Sequence, residues 1–445
     1  MLDKFYKQFK SGTDIRGVAS EGVEGQPVNL TDDVVARMAD GFVLWLSKKV
    51  SKAPETLTIS IGRDSRISGP HIVSICSERF KRCGATVLDC SLASTPSMFM
   101  TTVDLGCDGA LQITASHHPF NRNGLKFFTR EGGLEGSDIE EILEYAQNGE
   151  SPAENSCGKI RKVDYMTDYA KGLCKKIKEE VNAEDYDHPL KGFKIVVDAG
   201  NGAGGFYADK VLSVLGADTT GSRYLEPDGM FPNHIPNPED ATAMASICEA
   251  VKEANADLGV IFDTDVDRGG AVDNKGNEIN RNRLVAVAAA IALEGNEGGT
   301  VVTDSITSSG LKEFIENTLG GQHYRYRRGY KNVIDKALEL NAQGINCPLA
   351  IETSGHAAMK ENYFLDDGAY LCTKIIIKAA QMRKEGKELD ELTAALKEPV
   401  ESKEVRFKIL ESDFRACGEK IINDLTAYAM AQNGWNVAND NREGI

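Results

Sequence analysis

The amino-acid sequence predicts an α/β protein with three related mixed-sheet α/β domains around a central cleft, followed by an incomplete C-terminal α+β domain. Three β-branched apolar runs each end in a turn rich in Gly, Ser and Asp and precede a helical pattern. A second apolar run follows in each segment and ends in a polar loop. The chain of 445 residues is also too long for one compact core. Duplication of one strand–loop–helix unit is the simplest explanation.

The apolar runs give the order of the predicted elements. The opening runs begin at Leu57, Phe193 and Gly299, and the second runs begin at Asp108, Ala256 and Cys347. Charged, turn-rich segments at 179–192, 293–299 and 396–404 separate the units. The predicted domains are 1–187, 188–297, 298–398 and 399–445. In the last domain, a strand-like run at 404–410 and a helical pattern at 412–432 precede what resembles the start of another strand, so we expect a truncated domain.

Composition excludes several classes of partner. The formal charge of −16 argues against nucleic-acid and anionic-membrane binding, because both require a basic face. The chain has neither an apolar signal region at its N-terminus nor an apolar run of about 18 residues. Its ten cysteines are scattered singly, which favours reduced thiols. We therefore expect a soluble cytoplasmic protein, with an organelle after removal of a targeting peptide as the alternative.

The segment ITASHHPFNRNGLKFF contains the first candidate reactive group. Ser116 follows the apolar run DGALQI, so it is predicted on the loop that leaves the carboxyl end of a strand. Lys126 follows ten residues later. Such loops carry the chemistry in open α/β sheets, which makes Ser116 a candidate functional residue.

The segment DTDVDR places Asp263, Asp265 and Asp267 at alternate positions after an apolar strand. Three convergent carboxylates suit a hard divalent cation, and Mg²⁺ prefers oxygen ligands in octahedral geometry. An EF-hand is excluded because Arg268 and Asn274 stand where it requires Gly and Glu. Two alternatives stay open. In the first, a phosphatase of the haloacid dehalogenase type, Asp263 would be the nucleophile and Ser116 would have no role. In the second, the segment is a solvated acidic turn without a function.

Two further groups of polar residues have the composition of a binding site. ETSGH offers Glu352, Ser354 and His356, which suit hydrogen bonds to sugar hydroxyls, although Ser-Gly pairs also form ordinary turns. Arginine is suited to bidentate phosphate recognition, although a single Arg is more often a surface charge. The candidate arginines are Arg16, Arg63, Arg66, Arg268, Arg325, Arg327 and Arg328.

Taken together, TDIRG, TASHHP with NGLKFF, VVDAGNGAGG, FPNHIPNPED, DTDVDR and ETSGH resemble the α-D-phosphohexomutases, the phosphoglucomutase and phosphomannomutase superfamily. The resemblance covers residues 11–400 in the family's order. It implies that Ser116 carries a phosphoryl group, exchanges it with a hexose monophosphate through a bound 1,6-bisphosphate, and binds Mg²⁺ together with Asp263, Asp265 and Asp267. Such a transfer between two alcohols depends chiefly on charge neutralisation and positioning.

The same resemblance assigns the remaining site residues. Lys126 and Arg16 match residues near the reacting oxygens, His117 is adjacent to them, and His118 stands where the family has Asn and receives no role. The substrate-binding residues implied are Glu352, Ser354, His356, Arg268, Arg327 and Arg63. FLDDGAY favours glucose or mannose phosphates, whereas NGLKFF also resembles phosphoglucosamine mutases. We expect a hexose 1,6-bisphosphate activator, small-molecule sugar phosphates as partners without nucleic acid or membrane, and a monomer or dimer.

The chain departs from the family pattern at one point. The R-x-S-G-T-x-P loop, with which the family's fourth domain grips the non-reacting phosphate, does not occur before Ile445. We expect residues 399–445 to be a truncated form of that phosphate-binding domain. The alternative is a sugar-phosphate-binding protein without turnover.

Overall fold

The computed structural model describes residues 1–401, 403, 405, 407–411, 413–437, 440, 442 and 443. They divide into two compact units. The first comprises Met1–Asn280, Ser354–Ala357 and Leu365–Leu389, and the second comprises Arg281–Thr353, Ala358–Phe364 and the described residues from Asp390 onward. The first unit is therefore discontinuous in sequence.

The strands form three mixed or parallel sheets. In chain order they are β1 Lys10–Ser11, β2 Asp14–Val18, β3 Thr58–Arg63, β4 Thr86–Leu92, β5 Gly109–Ile113, β6 Arg122–Thr129, β7 Gly132–Gly133, β8 Lys159–Lys162, β9 Ile195–Asp198, β10 Leu258–Phe262, β11 Gly269–Asp273, β12 Glu278–Ile279, β13 Thr300–Thr303, β14 Gln322–Arg325, β15 Leu349–Ile351 and β16 Ala357–Met359. The first sheet has the order β1-β2-β6-β5-β3-β4-β8, with β7 on β6. The others have the orders β12-β11-β10-β9 and β14-β13-β15-β16.

Most of the helices pack against these sheets or against one another. They are α1 Lys4–Lys7, α2 Asp32–Val50, α3 Gly69–Arg82, α4 Thr95–Asp104, α5 Gly136–Asn148, α6 Tyr165–Val181, α7 Ala241–Ala254, α8 Arg281–Leu293, α9 Ser309–Glu313, α10 Tyr330–Ala342, α11 Gly368–Lys384 and α12 Phe414–Met430. No helix among the described residues has the length and apolar character that a membrane span requires.

The central strands explain why the sequence patterns were informative. All five residues of β5 and all five of β10 are buried, as expected of strands covered on both faces. Each runs parallel to a neighbour, β5 to β3 and β10 to β9. Each also has an antiparallel partner on its other side, which makes both sheets mixed. The loops that follow β5 and β10 therefore leave the carboxyl ends of central strands, as predicted.

The core of the first sheet depends on close packing of α2 with α5. Phe42 of α2 lies beneath Phe127 of β6, with ring centroids 4.7 Å apart. Gly41 allows the two helices to approach, because a Cβ at this position would lie 2.4 Å from the carbonyl oxygen of Ile142. A side chain here would force α5 away from α2.

The sequence pattern predicted the C-terminal region only in part. The helical pattern at 412–432 is confirmed as α12, whose Phe414, Ile421 and Leu425 side chains are exposed. The described residues of the strand-like run at 404–410 contain no strand, and residues 404 and 406 lie outside the described part of the chain. The described residues of the last segment, 434–445, also contain no strand, and residues 438, 439, 441, 444 and 445 lie outside the described part. The division into four domains at 1–187, 188–297, 298–398 and 399–445 stays a prediction.

Candidate active site

The loop after β5 holds Ser116 in an unusual backbone conformation. Its φ of 50° lies in the left-handed region, which L-residues rarely adopt. The Ser116 amide donates to Thr114 Oγ1 at 2.9 Å, and the Thr114 hydroxyl donates to Asp64 Oδ2 at 2.7 Å. These buried hydrogen bonds stabilise the turn and offset the cost of its conformation.

The loop between β10 and β11 brings three carboxylates together. Oxygen atoms of Asp263, Asp265 and Asp267 all lie within 4.8 Å of one another, and all three residues are buried. The Ser116 hydroxyl donates to Asp263 Oδ2 at 3.1 Å. Val266 in this loop also has a positive φ, of 67°, which is strained for a β-branched residue. The two loops that the sequence predicted as functional therefore meet in the first unit.

Burial and mutual repulsion disturb the ionisation of these carboxyl groups. Burial, with the negative charges of its neighbours, raises the pKa of Asp263 well above its usual range. The same causes raise the pKa of Asp265 to about 6. Burial would also raise the pKa of Asp267, but Lys126, His356 and Arg268 together outweigh it and the net shift is downward. Three acidic groups are thus held together at a substantial electrostatic cost.

The donor set fits a hard divalent cation. Asp265 Oδ1 and Asp267 Oδ1 are buried and have no hydrogen-bond partner among the described residues. Buried carboxylate oxygens without donors are costly unless a cation or a proton compensates them. Oxygen ligands at this spacing suit Mg²⁺. The other oxygen of Asp265 accepts from the Thr95 hydroxyl, which fixes the orientation of the carboxylate.

Lys126 lies beside this cluster because of the register of β6. It is paired with Gln112 in the antiparallel β5–β6 ladder, one residue before the end of β5. Its buried ammonium donates to Asp267 Oδ2 at 2.7 Å. Arg16 lies on the next strand, opposite Gly124 of β6. It donates to Asp14 at 3.1 Å.

Arg268 connects the acidic loop to two histidines. Its Nε donates to His356 Nε2 at 2.9 Å, and its Nη2 lies 3.0 Å from His117 Nδ1. His117 Nδ1 is also 3.3 Å from Ser116 Oγ. Burial, and then the charge of Arg268, lower the pKa of His117 to about 3. His117 is therefore neutral at physiological pH, as an acceptor of an arginine N–H must be.

Sequence analysis did not identify all the residues that orient this centre. His356 Nδ1 lies 2.5 Å from Asp366 Oδ2, so the carboxylate fixes the ring and leaves Nε2 to face Arg268. Asn237 Oδ1 accepts from Arg268 Nη1 at 3.3 Å, and Glu239 forms an ion pair with the same guanidinium at 3.5 Å. FLDDGAY and FPNHIPNPED contain these three residues, but neither motif predicts which distant side chain it supports.

The other predicted site residues are divided between the units. Glu352 and Arg327 belong to the second unit, where Glu352 Oε1 accepts from the Gly329 amide at 2.6 Å and Arg327 is exposed. Ser354 and Arg63 belong to the first unit. Ser354 Oγ is buried with no hydrogen-bond partner in the described part of the chain, and Arg63 donates to the Asp64 carbonyl at 2.9 Å.

Comparison with protein families gives three consecutive matches. The family described as "Phosphoglucomutase/phosphomannomutase, alpha/beta/alpha domain I" matches residues 7–153. The corresponding domain II matches residues 169–276, and domain III matches residues 280–400.

Individual proteins are similar over most of the chain. The phosphomannomutase/phosphoglucomutase of Pseudomonas syringae pv. tomato is 31% identical over 336 residues, which are 75% of this chain and 68% of that protein. A phosphoglucosamine mutase of Lactobacillus helveticus is 30% identical over 397 residues, 87% of this chain and 81% of that protein. The crystal structure of a phosphoglucomutase/phosphomannomutase family protein from Burkholderia thailandensis superposes with a TM-score of 0.78 at 25% identity, covering 99% of this chain and 88% of that one.

Proposed function

The chain belongs to the phosphoglucomutase/phosphomannomutase family of α-D-phosphohexomutases, and we propose that it interconverts the 1-phosphates and 6-phosphates of glucose and/or mannose through a phosphoserine at Ser116. Members of this family are isomerases that act by phosphoryl transfer. The observation that carries the proposal is the 3.1 Å contact of Ser116 Oγ with Asp263 at the edge of the buried acidic cluster. A nucleophilic hydroxyl and a cation site in contact are the two components that this transfer requires.

In the proposed reaction the hexose hydroxyl attacks the phosphorus atom carried by Ser116. The bond between phosphorus and Ser116 Oγ breaks, and a new phosphorus–oxygen bond forms to the sugar, giving the 1,6-bisphosphate. The proton released by the sugar hydroxyl replaces the phosphoryl group on Ser116 Oγ. The bisphosphate then turns over and returns its other phosphoryl group to Ser116 by the reverse step. A hexose 1,6-bisphosphate is therefore also the activator that first phosphorylates the serine.

The buried groups around Ser116 have separate proposed roles in this exchange. Lys126 holds and transfers the proton, because its ammonium is buried beside the acidic loop, and Arg16 on the adjacent strand stabilises negative charge on the reacting oxygens. Neutral His117 places its Nδ1 3.3 Å from Ser116 Oγ. Asp263, Asp265 and Asp267, with an oxygen on Ser116, are the proposed ligands of Mg²⁺, which when bound would neutralise the charge of the phosphoryl group.

Substrate recognition is proposed for the residues that the sequence motifs indicate. In the first unit His356 and Ser354 offer hydrogen bonds to sugar hydroxyls, and the unpartnered Ser354 Oγ supports this role. In the second unit Glu352 has the same proposed role. The arginines Arg63, Arg268 and Arg327 are proposed to bind phosphate oxygens. Sugar phosphates are the proposed ligands, and a monomer or dimer is the proposed assembly.

A second substrate, glucosamine phosphate, is supported by one specific observation. The Lactobacillus helveticus relative, named a phosphoglucosamine mutase, is nearly as similar to this chain as the Pseudomonas syringae enzyme. We place glucose and mannose first because FLDDGAY favours them. The ratio of kcat/KM for the 1-phosphates of glucose, mannose and glucosamine decides between the two. A higher value for glucosamine 1-phosphate would overturn our assignment.

The phosphoserine is tested by mass and by turnover. Incubation with glucose 1,6-bisphosphate and Mg²⁺ should add one phosphate, about 80 daltons, to the wild type and should support mutase activity. Ser116→Ala should lose both. Ser77→Ala is the matched control, because Ser77 is a buried serine of α3 whose hydroxyl has no partner among the described residues.

The phosphatase mechanism predicts a different labelled residue. If Asp263 were the nucleophile, Ser116→Ala would still take up phosphate, and the adduct would be an acyl phosphate that hydroxylamine cleaves. Peptide mapping of the labelled chain identifies the residue directly. Phosphate on Asp263, or full mutase activity in Ser116→Ala, would overturn the proposed function.

A further inference from the structure

The loop that carries Ser116 is closed around a buried arginine. Arg66 follows β3 and its side chain is completely buried. A guanidinium has five N–H donors, and here all five are used. Nε donates to Asp64 Oδ2 at 3.2 Å, and Nη1 donates to the carbonyls of Pro119 and Arg122 at 2.7 and 3.0 Å. Nη2 donates to the carbonyls of Ser116 and His118.

Asp64 holds the other end of the same loop. Its Oδ1 accepts from the Arg66 amide at 2.9 Å, and its Oδ2 accepts from the Thr114 hydroxyl at 2.7 Å. Thr114 in turn accepts the amide of Ser116. Asp64 and Arg66 together therefore contact the segment 114–122 at both ends, and both polar groups of the Ser116 backbone depend on them.

This arrangement is too costly to be incidental. Moving a charged pair from water into the interior is strongly unfavourable unless hydrogen bonds to every donor offset the loss of hydration. Four carbonyl oxygens that converge on one point would repel one another without a cation between them. The guanidinium carbon lies over the Phe231 ring, 5.2 Å from its centre.

The same contacts exclude the role that the sequence suggested for Arg66. In the sequence it belongs to a set of arginines suited to phosphate recognition. A guanidinium whose five donors all bind protein oxygens has none left for a substrate. Arg66 therefore binds the 114–122 loop and not a substrate phosphate.

We propose that Arg66, with Asp64 as its counter-ion, is a positioning residue that holds the 114–122 loop so that Ser116 Oγ faces Asp263. The inference rests on the proposed function, because it assigns Arg66 to the transfer at Ser116. Arg66 touches neither the phosphoryl group nor the sugar. Its loss therefore lowers the rate of transfer and leaves substrate affinity nearly unchanged.

The test is Arg66→Lys, with Arg79→Lys as the matched control. Lysine keeps the charge but offers three donors on a single nitrogen in place of the planar set of five. Arg79 of α3 lies in the same unit and forms a bidentate ion pair with Asp40, in which Nε donates to Oδ1 at 2.8 Å and Nη2 donates to Oδ2. It takes no part in the proposed site. Both variants should lose stability.

We expect Arg66→Lys to lower kcat about 100-fold, the scale of a displacement of about 1 Å, with KM within about two-fold of the wild type. The rate at which glucose 1,6-bisphosphate phosphorylates Ser116 should fall by the same factor. Arg79→Lys should leave both rates unchanged. A wild-type kcat in folded Arg66→Lys would overturn the inference, since a purely structural role moves only the melting temperature.

A second variant and a second readout make the test independent of folding and of activity. Thr114→Val removes the hydroxyl that holds the Ser116 amide and keeps the side-chain volume, so it provides the test if Arg66→Lys fails to fold. We expect its kcat to be about ten-fold lower than that of the wild type. In either variant the Ser116 amide should exchange with deuterium at least ten times faster, whereas Arg79→Lys should not change it. Unchanged exchange of the Ser116 amide would overturn the inference, whether or not Ser116 is phosphorylated. Absence of phosphate on Ser116 would refute only the proposed function.

Discussion

Replacing Asp265 by Asn should stabilise the metal-free protein while weakening its response to Mg²⁺. Asp265 lies no more than 4.8 Å from the carboxylate oxygens of Asp263 and Asp267, and all three are buried. At an effective dielectric constant of about 20, two unit charges at 4.8 Å repel by about 3.5 kcal/mol. Asparagine removes the charge and keeps an oxygen to accept from Thr95. We expect the free energy of unfolding of the first unit to rise by about 3 kcal/mol in EDTA at pH 8.

Magnesium should nearly remove this difference in stability. A ligand at 100 times its Kd stabilises the native state by about 2.7 kcal/mol, and a variant that has lost one anionic ligand loses most of that gain. The assay is urea unfolding of wild type and variant, each with EDTA and with excess Mg²⁺. Asp273→Asn is the control, because Asp273 is a buried carboxylate at the end of β11 outside the cluster.

Two results would contradict this prediction. One is a metal-free Asp265→Asn variant that is less stable than the wild type, since repulsion would then not dominate the cluster. The other is an Mg²⁺-dependent gain equal to that of Asp273→Asn, which would mean that the three carboxylates do not bind the ion.

Two further predictions concern buried charges. Lys126→Met leaves Asp267 buried without its ammonium, so the free energy of unfolding should fall by about 3–5 kcal/mol in urea titrations, and a loss below about 1 kcal/mol would contradict the buried pair. In the second unit, burial and then the nearby Glu352, opposed by the hydrogen bond from Thr353, raise the pKa of Asp304 from 3.8 to about 6. The raised pKa destabilises the folded state above about pH 6, where Asp304 is ionised, and this destabilisation disappears as the pH falls toward 3.8. Asp304→Asn should therefore raise the free energy of unfolding by about 3 kcal/mol at pH 8 and by almost nothing at pH 4. An equal effect at the two pH values would exclude titration of Asp304 as the cause.

Local pattern was sufficient to predict where the two candidate loops begin. The apolar runs that become β5 and β10 have no polar residue facing solvent, so each indicated a strand covered on both sides. The carboxyl ends of neighbouring strands lie at one edge of a sheet, and the position of Ser116 and of Asp263 after such strands predicted their roles.

The supporting residues could not be predicted in this way. Arg66 carries a formal charge, which in a sequence indicates solvent or an anionic ligand. Its actual partners are backbone carbonyls about fifty residues away, and a carbonyl oxygen is present at every position of the chain. Asp366 presented the same difficulty, because nothing in FLDDGAY indicates that one of its two acidic residues orients His356.

The division into units was also outside the reach of local pattern. The apolar residues of α11 predict that it is buried but not which sheet it covers. In the structure it packs against α6 and β11 and so belongs to the first unit. Tyr169 of α6 donates to both oxygens of Asp367, each at 2.7 Å, and Asp367 caps α11 by accepting from the Tyr370 amide.

Because the first unit is discontinuous in sequence, its parts are synthesised at different times. The ribosome makes residues 1–280 first, but the surface that α11 covers stays exposed until residue 389 has emerged. At about 5–20 residues per second, the interval is roughly 5–20 s, far longer than the formation of any single helix. During that time the nascent chain presents an uncovered apolar face and a Tyr169 hydroxyl without its carboxylate. Translation speed between these points, and chaperones that recognise such a face, should therefore influence yield more than the stability of the finished fold does.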